Sequence, residues 1–322
     1  MTANQNYQMG WIQYLNLLPL RCELQKLISD DSFIREGHPK QVNEWLAGGE
    51  IQIAPSSSIN LIDNPHLTMA FPVGVASEGP VQSVYLGLRA SPTRVPEQHV
   101  LNFILDRQEQ LSSGVRSILS MLKNGDIDCA RAASQIMSVA CTKSSEVDFL
   151  FPEVQYTAAS AASVQLTKIM MYLWFGQQFN NTSKVDHLPN DAQKPVSLEL
   201  LIGDEALKRR PEFSHIIDLG EVWFQLTGLP FVFAVWQTSL KNIPPSLHKT
   251  ILSAAHQSQI SMKSKPEMYS AKMSNQPVDT LGNKIDLSSY WGSIQYELTP
   301  RHMLGLNLFF ELAREVRKLD RL

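Results

Sequence analysis

Between residues 11 and 62 the chain alternates short apolar runs with helical periodicity, and no other feature restricts the possible folds as much. Trp11 to Leu15 has the length and the aromatic and β-branched content of a buried strand, and Pro19 suits the first turn of a helix continuing through Glu23, Leu24 and Leu27. Ser32 to Gly37 reads as a second short strand, and His38-Pro39 opens a helix through Val42, Trp45 and Leu46 that Gly48-Gly49 stops. Ile51 to Ala54 then runs as a strand into the turn Pro55-Ser56-Ser57-Ser58, and Ile59 begins another short helix. A β-α-β-α-β order predicts a parallel sheet with helices on its faces.

That order places Asn16 where a strand gives way to a helix. Ligands of open α/β sheets bind in the crevice beyond the carboxyl ends of the strands, so an amide donor and acceptor is aimed at a potential pocket there. The same residue type also caps helices, and the two readings stay open for Asn16. Ser56, Ser57 and Ser58 sit at a second such junction on the same edge, where hydroxyls and free N–H groups at a helix N-terminus suit an anion, or simply cap the helix.

A chain of 322 residues exceeds one average core and points to two lobes. A net charge of −3 with scattered lysines and arginines supplies no basic field, so no nucleic-acid partner is expected. The first residues lack a signal peptide's basic and apolar regions, and no apolar run reaches membrane-spanning length, which predicts a cytoplasmic protein with no membrane partner. Cys22, Cys129 and Cys141 are far apart without CxxC spacing, and the eight histidines form no HxxxH or HExxH pair, so no disulfide framework or metal is indicated. Phosphate-binding glycine motifs are missing as well, and no cofactor is expected.

An ordered set of motifs carries a family resemblance. Tyr14-Leu15-Asn16 with Pro19-Leu20, then Pro55-Ser56, then Ala76-Ser77-Glu78-Gly79-Pro80-Val81-Gln82-Ser83-Val84 resembles the chorismate dehydratase family of the futalosine route to menaquinone. The likeness resumes at Leu201-Ile202-Gly203-Asp204-Glu205-Ala206-Leu207, at Asp218-Leu219-Gly220 leading to Trp223, at Leu226 to Trp236, and in the last helices from Tyr290 and Gly305. A sister family that makes dihydroxynaphthoate opens differently, so Tyr14-Leu15-Asn16 favours the dehydratase. The resemblance implies an α/β, two-lobed periplasmic-binding-protein-like (type II) fold, with mixed sheets flanked by helices and a cleft between the lobes. Lobe 1 is then expected from residues 1–90 and 232–322 and lobe 2 from 91–231, with Ser83 to Leu88 crossing between them and Phe231 to Trp236 returning.

Two departures stand out. Residues from about 91 to 150 read as an insertion, with an amphipathic stretch, Val115, Ile118, Leu119, Met121 and Leu122, whose helical spacing suggests packing on the second lobe away from the cleft. Where the family has Ser-Arg-Thr-Ser opening a second-lobe helix, this chain has Ser160-Ala161-Ala162-Ser163, which removes an anion contact. Ser160 and Ser163 can still cap a helix from Val164 to Trp174.

The implied activity is loss of water from chorismate, a small dicarboxylate, to give 3-[(1-carboxyvinyl)oxy]benzoate. Asn16 and Ser83 are the implied catalytic residues, and Ser56, Ser57, Ser77, Gly79, Ser160, Ser163 and Asp204 the implied substrate-binding ones. Asp204 precedes a predicted helix and has capping as its alternative. The motifs supply no histidine and no uncommitted carboxylate, so the substrate's own enolpyruvyl carboxylate is the candidate base. The alternatives are a non-catalytic carboxylate-binding protein and a diverged paralogue acting on a related aromatic-acid precursor.

Overall fold

The computed structural model describes residues 7–28, 30–88, 97–142, 152–157, 159–176 and 196–320. Its strands are β1 (Met9–Ile12), β2 (Ile34–Gly37), β3 (Ile53–Ser57), β4 (Thr68–Ser77), β5 (Val84–Leu88), β6 (Glu153–Gln155), β7 (Ser197–Ile202), β8 (His215–Asp218), β9 (Phe231–Thr238) and β10 (Gln295–Glu297). Two mixed sheets result, one ordered β10-β4-β9-β3-β1-β2 and the other β6-β7-β5-β8. As the alternating rhythm predicts, β1, β2 and β3 are parallel, while β9 and β10 join antiparallel. The first sheet thus takes its strands from both ends of the chain, and the second takes all of its strands from the middle.

The helices are α1 (Leu18–Leu27), α2 (Pro39–Ala47), α3 (Asn60–Asp63), α4 (Glu97–Gly114), α5 (Arg116–Asn124), α6 (Cys129–Thr142), α7 (Ala161–Phe175), α8 (Asp204–Arg209), α9 (Leu219–Thr227), α10 (Pro245–Ser264), α11 (Glu267–Ser270), α12 (Leu287–Gly292) and α13 (Pro300–Leu319). His38 caps α2 in a box with Gln41 and Pro39 opens the first turn, so this boundary follows the local sequence. The strand expected at Trp11 to Leu15 is shifted, because Leu15–Leu17 winds into a 3-10 turn ahead of α1. β3 also differs from expectation. Ser56 and Ser57 belong to the strand, and the four-residue α3 has Ile59 at its cap position with no side-chain cap, so the expected serine-capped anion site is not formed.

Two apolar cores carry the molecule. Trp11, Leu24, Leu46, Phe71, Trp236, Ile251, Tyr290 and Trp291 pack around the first sheet. The second core joins β5 and β7 to α4, α5, α6, α7 and α9. The amphipathic stretch before Asn124-Gly125 forms α5, which buries Ile118, Leu119 and Leu122 and ends on Gly125 in the left-handed region at φ 81°. α13, expected with the first lobe, lays Leu308, Phe309, Leu312 and Val316 into this second core beside α6 and α7. Cys22 and Cys129 are free thiols, and the Cys141 side chain lies outside the described residues.

Candidate functional site

Where the ends of β1 and β3 meet the start of α7 and the end of β7, the chain forms a partly open cavity of about 70 Å³. Its walls are apolar, from Ile12, Leu17, Val75, Val81, Ile202 and Phe233, and seven polar side chains reach it: Tyr14, Asn16, Asn43, Ser57, Ser83, Ser160 and Ser163. This is the composition of a small-molecule pocket, a mostly apolar cavity with a few directed polar groups.

Asn16 sits in the turn between β1 and α1, and its backbone is fixed from three directions. Asp204 accepts the Leu15 N–H at 3.1 Å, Trp291 donates its indole N–H to the Leu15 carbonyl at 2.8 Å, and the Tyr296 hydroxyl donates to the Asn16 carbonyl at 2.6 Å. The side chain caps nothing, since the residue at the α1 cap position is Leu17 and no side chain caps the 3-10 turn. Asn16 Oδ1 is buried without a hydrogen-bond partner, on a side chain that lines the cavity. A native chain that leaves a buried acceptor unpaired invites a functional explanation.

Ser83 reaches the cavity from the crossing between the sheets and is 2% exposed. Its carbonyl accepts the Gly203 N–H at 2.7 Å. Gly203 is at φ 63° with the Tyr14 ring 3.2 Å from where a Cβ would stand, so glycine lets β7 end against the pocket wall.

The serines of α7 behave as local capping rules predict. Ser160 accepts from the Ser163 N–H at 3.3 Å, and α7 starts at Ala161, ahead of the Val164 expected from sequence. The preceding N–H, that of Ala162, donates to Ser57 Oγ at 2.8 Å, tying β3 of the first sheet to α7. The positive end of the α7 dipole therefore points at the cavity.

Four of the nine sequence-predicted residues are not among those lining the cavity. Ser56 donates to Asn43 at 2.7 Å and accepts from Asn60 at 2.9 Å, which commits it to packing. Ser77 donates to the Gly79 carbonyl at 3.0 Å, which occupies both within the crossing. Asp204 is the first residue of α8 rather than its cap, and Gly203 holds the cap position. Its carboxylate holds the Asn16 turn instead, and burial pushes its pKa up, opposed by the Leu15 N–H and by Lys208. Sequence reasoning missed Tyr14 and Asn43. Tyr14 stood inside a recognised motif, and Asn43 follows Pro39 by one helical turn on the face of α2 that meets the cavity.

Among the described residues lining the cavity none is Asp, Glu, His, Lys, Arg or Cys. The Tyr14 phenol is pushed up to about 12 by burial and then by Asp204, so it stays protonated near neutral pH. The cavity thus offers hydroxyls, amides and a helix N-terminus, and no side chain suited to take a proton. No group of His, Cys, Asp and Glu among the described residues is arranged to hold a metal, and no helix there is long and apolar enough to cross a membrane.

Known proteins share this chain's sequence pattern and fold. The model of the menaquinone biosynthesis family matches residues 7–104 and 126–315, so much of the segment expected as an insertion belongs to the common pattern and only 105–125 is passed over. Chorismate dehydratase of Thermus thermophilus is 31% identical over 184 residues, and the match covers 49% of this chain and 61% of that enzyme. The periplasmic aliphatic sulphonate binding protein of Escherichia coli superposes with a TM-score of 0.52 over 97% of this chain and 87% of its own, at 12% identity. An Archaeoglobus fulgidus protein of solved structure gives the same TM-score, 0.52, over 96% and 97%, at 10% identity. These two likenesses show the fold alone, which is periplasmic-binding-protein-like. By the family match over most of its length, the chain belongs to the menaquinone biosynthesis family.

Proposed function

We propose that this protein removes water from chorismate to give 3-[(1-carboxyvinyl)oxy]benzoate, with the two sheets as the cores of two lobes and the cavity between them as the active site. The observation that carries the reading is the unpaired Asn16 Oδ1 beside Ser83 in a cavity without any side-chain base. Homology to a chorismate dehydratase supports the substrate.

In this reading the ring proton, on the carbon bearing the ether, passes to the substrate's enolpyruvyl carboxylate. The ring C–O bond to the hydroxyl breaks, and water leaves as the ring becomes aromatic. Aromatisation drives the reaction, so the protein need only hold the reacting groups in line and exclude solvent. Asn16 Oδ1, an acceptor, takes the hydrogen of the departing hydroxyl, while Asn16 Nδ2 and the Ser83 hydroxyl donate to the enolpyruvyl carboxylate. The second carboxylate faces Ser160, Ser163 and the start of α7, where partial positive charge stands in for a missing cation.

Incubation of the purified protein with chorismate, followed by mass spectrometry, tests the proposal. The expected result is a product lighter than chorismate by one water, formed by the protein and lost in Asn16→Ala. Chorismate that binds in calorimetry and is recovered unchanged refutes it in favour of a binding protein. Neither binding nor turnover refutes it in favour of a different ligand.

A further inference from the structure

The crossing between the sheets, residues 78–83, carries the one non-glycine residue at positive φ among those described, Gln82 at φ 62°. That conformation costs a residue with a Cβ on the order of 1 kcal/mol or more and persists only when surrounding groups enforce it. Asp218 supplies the enforcement. Its Oδ2 accepts the Gln82 N–H at 2.8 Å, and both of its oxygens accept the Val81 N–H at 3.1 Å. The same carboxylate caps α9 by accepting the N–H groups of Gly220 at 2.9 Å and Glu221 at 3.1 Å. From the opposite side the Gln82 amide donates to the Ser289 hydroxyl at 3.1 Å, and Ser293 donates to the Val81 carbonyl at 3.3 Å. Gly220 permits the approach, since a Cβ there would lie 2.7 Å from the Gly79 carbonyl oxygen and 2.8 Å from Ser77 Oγ.

A helix cap needs only one or two acceptor contacts, and this carboxylate spends the rest of its capacity on two residues of another segment. Those two residues immediately precede Ser83, and Val81 and Ser83 both line the cavity. We infer that Asp218 is a positioning residue for the site: by holding Gln82 in its strained conformation it sets where the Ser83 hydroxyl stands.

Asparagine separates the two duties of Asp218. Its carbonyl oxygen, standing at Oδ1, can still cap α9 and accept the Val81 N–H, whereas its NH₂ group, standing at Oδ2, would face the Gln82 N–H donor to donor. In Asp218→Asn the fold and the α9 cap should persist while residues 81–83 move. The kinetic arm rests on the dehydratase reading, and the crystallographic arm does not. Crystal structures of wild type and Asp218→Asn should show Ser83 displaced by on the order of 1 Å, enough for a loss of about 10²-fold in kcat with a much smaller change in KM. In the Ser83→Ala background the same substitution should cost little more, because the group it positions is gone. Should Asp218→Asn fail to fold, Asp218→Ser keeps a short capping oxygen that cannot reach Gln82, and the same measurements apply. Ser83 unmoved in the variant crystal, or a rate loss that adds in full on Ser83→Ala, overturns the inference. If wild type does not turn over chorismate, the dehydratase reading fails, and the crystal comparison alone decides the role of Asp218.

Discussion

Deleting the Asn16 side chain should separate stability from function, because the turn that carries it is held entirely by backbone atoms. The bonds from Asp204, Trp291 and Tyr296 all end on the Leu15 and Asn16 main chain, and none involves the Asn16 amide. Alanine also meets no backbone obstacle there, since Gln82 is the one described non-glycine residue at positive φ. Against this, Asn16 Oδ1 is buried with no partner, a condition that costs about 1–3 kcal/mol. Asn16→Ala relieves that cost and loses only the packing of the carboxamide, about 1 kcal/mol at most for a half-buried polar residue. The net expectation is a stability unchanged or raised by up to about 2 kcal/mol. Turnover should fall about 10²-fold if the amide stabilises charge that develops in the reaction. Guanidinium unfolding followed by fluorescence and chorismate consumption followed by chromatography measure both. A variant destabilised by more than about 1 kcal/mol, with activity falling only as far as its folded fraction, would falsify the functional reading and make Asn16 a structural residue.

Three further substitutions probe the framework. Ser57→Ala takes the acceptor from the Ala162 N–H and should lower stability by about 1–3 kcal/mol; an unmoved unfolding midpoint counts against the bond between β3 and α7. Gly74→Ala brings a Cβ to 2.3 Å from the Ala234 carbonyl oxygen of the neighbouring strand and should cost about 3 kcal/mol, with wild-type stability refuting so close an approach of β4 to β9. For Asp204, burial raises the folded pKa above the ordinary 3.8, so its contribution to stability is fully present below the unfolded value and is lost as pH rises through the folded pKa. Asp204→Asn keeps an acceptor for the Leu15 N–H and does not titrate, so its stability relative to wild type should climb as pH rises from below 3.8 and then level off; a difference independent of pH argues against the raised pKa.

The parts of this molecule that were legible in its sequence are those decided by neighbours in sequence. The alternation of apolar runs with helical spacing gave the parallel arrangement of β1, β2 and β3, and His38-Pro39 marked the start of α2 because a cap and its helix are contiguous. The crevice position of Asn16 followed from the same rhythm. Whether Asn16 caps its helix or points unpaired into a cavity depends on Trp291 and Tyr296, far along the chain, and no local pattern carries that choice. Ser56 and Ser57 failed to separate for a related reason. Read as a turn they are equivalent, but in a strand consecutive side chains take opposite faces, so one meets Asn43 and Asn60 while the other lines the pocket. Asp204 looked like a cap because it opens a helix, yet Gly203 occupies the cap position and the carboxylate serves a turn in the other sheet.

On the proposed dehydratase reading, the same long-range organisation lets a cavity with no charged side chain among its described lining suit a dianion. Each polar group that reaches it stands at the end of a strand or the start of a helix whose backbone is fixed elsewhere: Asn16 by Asp204, Trp291 and Tyr296, Ser83 by the crossing that Asp218 clamps, and Ser160 by α7 itself. Neutral donors held rigidly in a poorly solvated space interact with an anion more strongly than the same donors in water, because nothing has to reorganise when the ligand arrives. A lysine or arginine in their place would grip either carboxylate of the substrate regardless of its orientation. Hydrogen bonds of fixed direction do not, and in an elimination that uses the substrate's own carboxylate as base, the direction in which that carboxylate is held decides whether the proton can be reached.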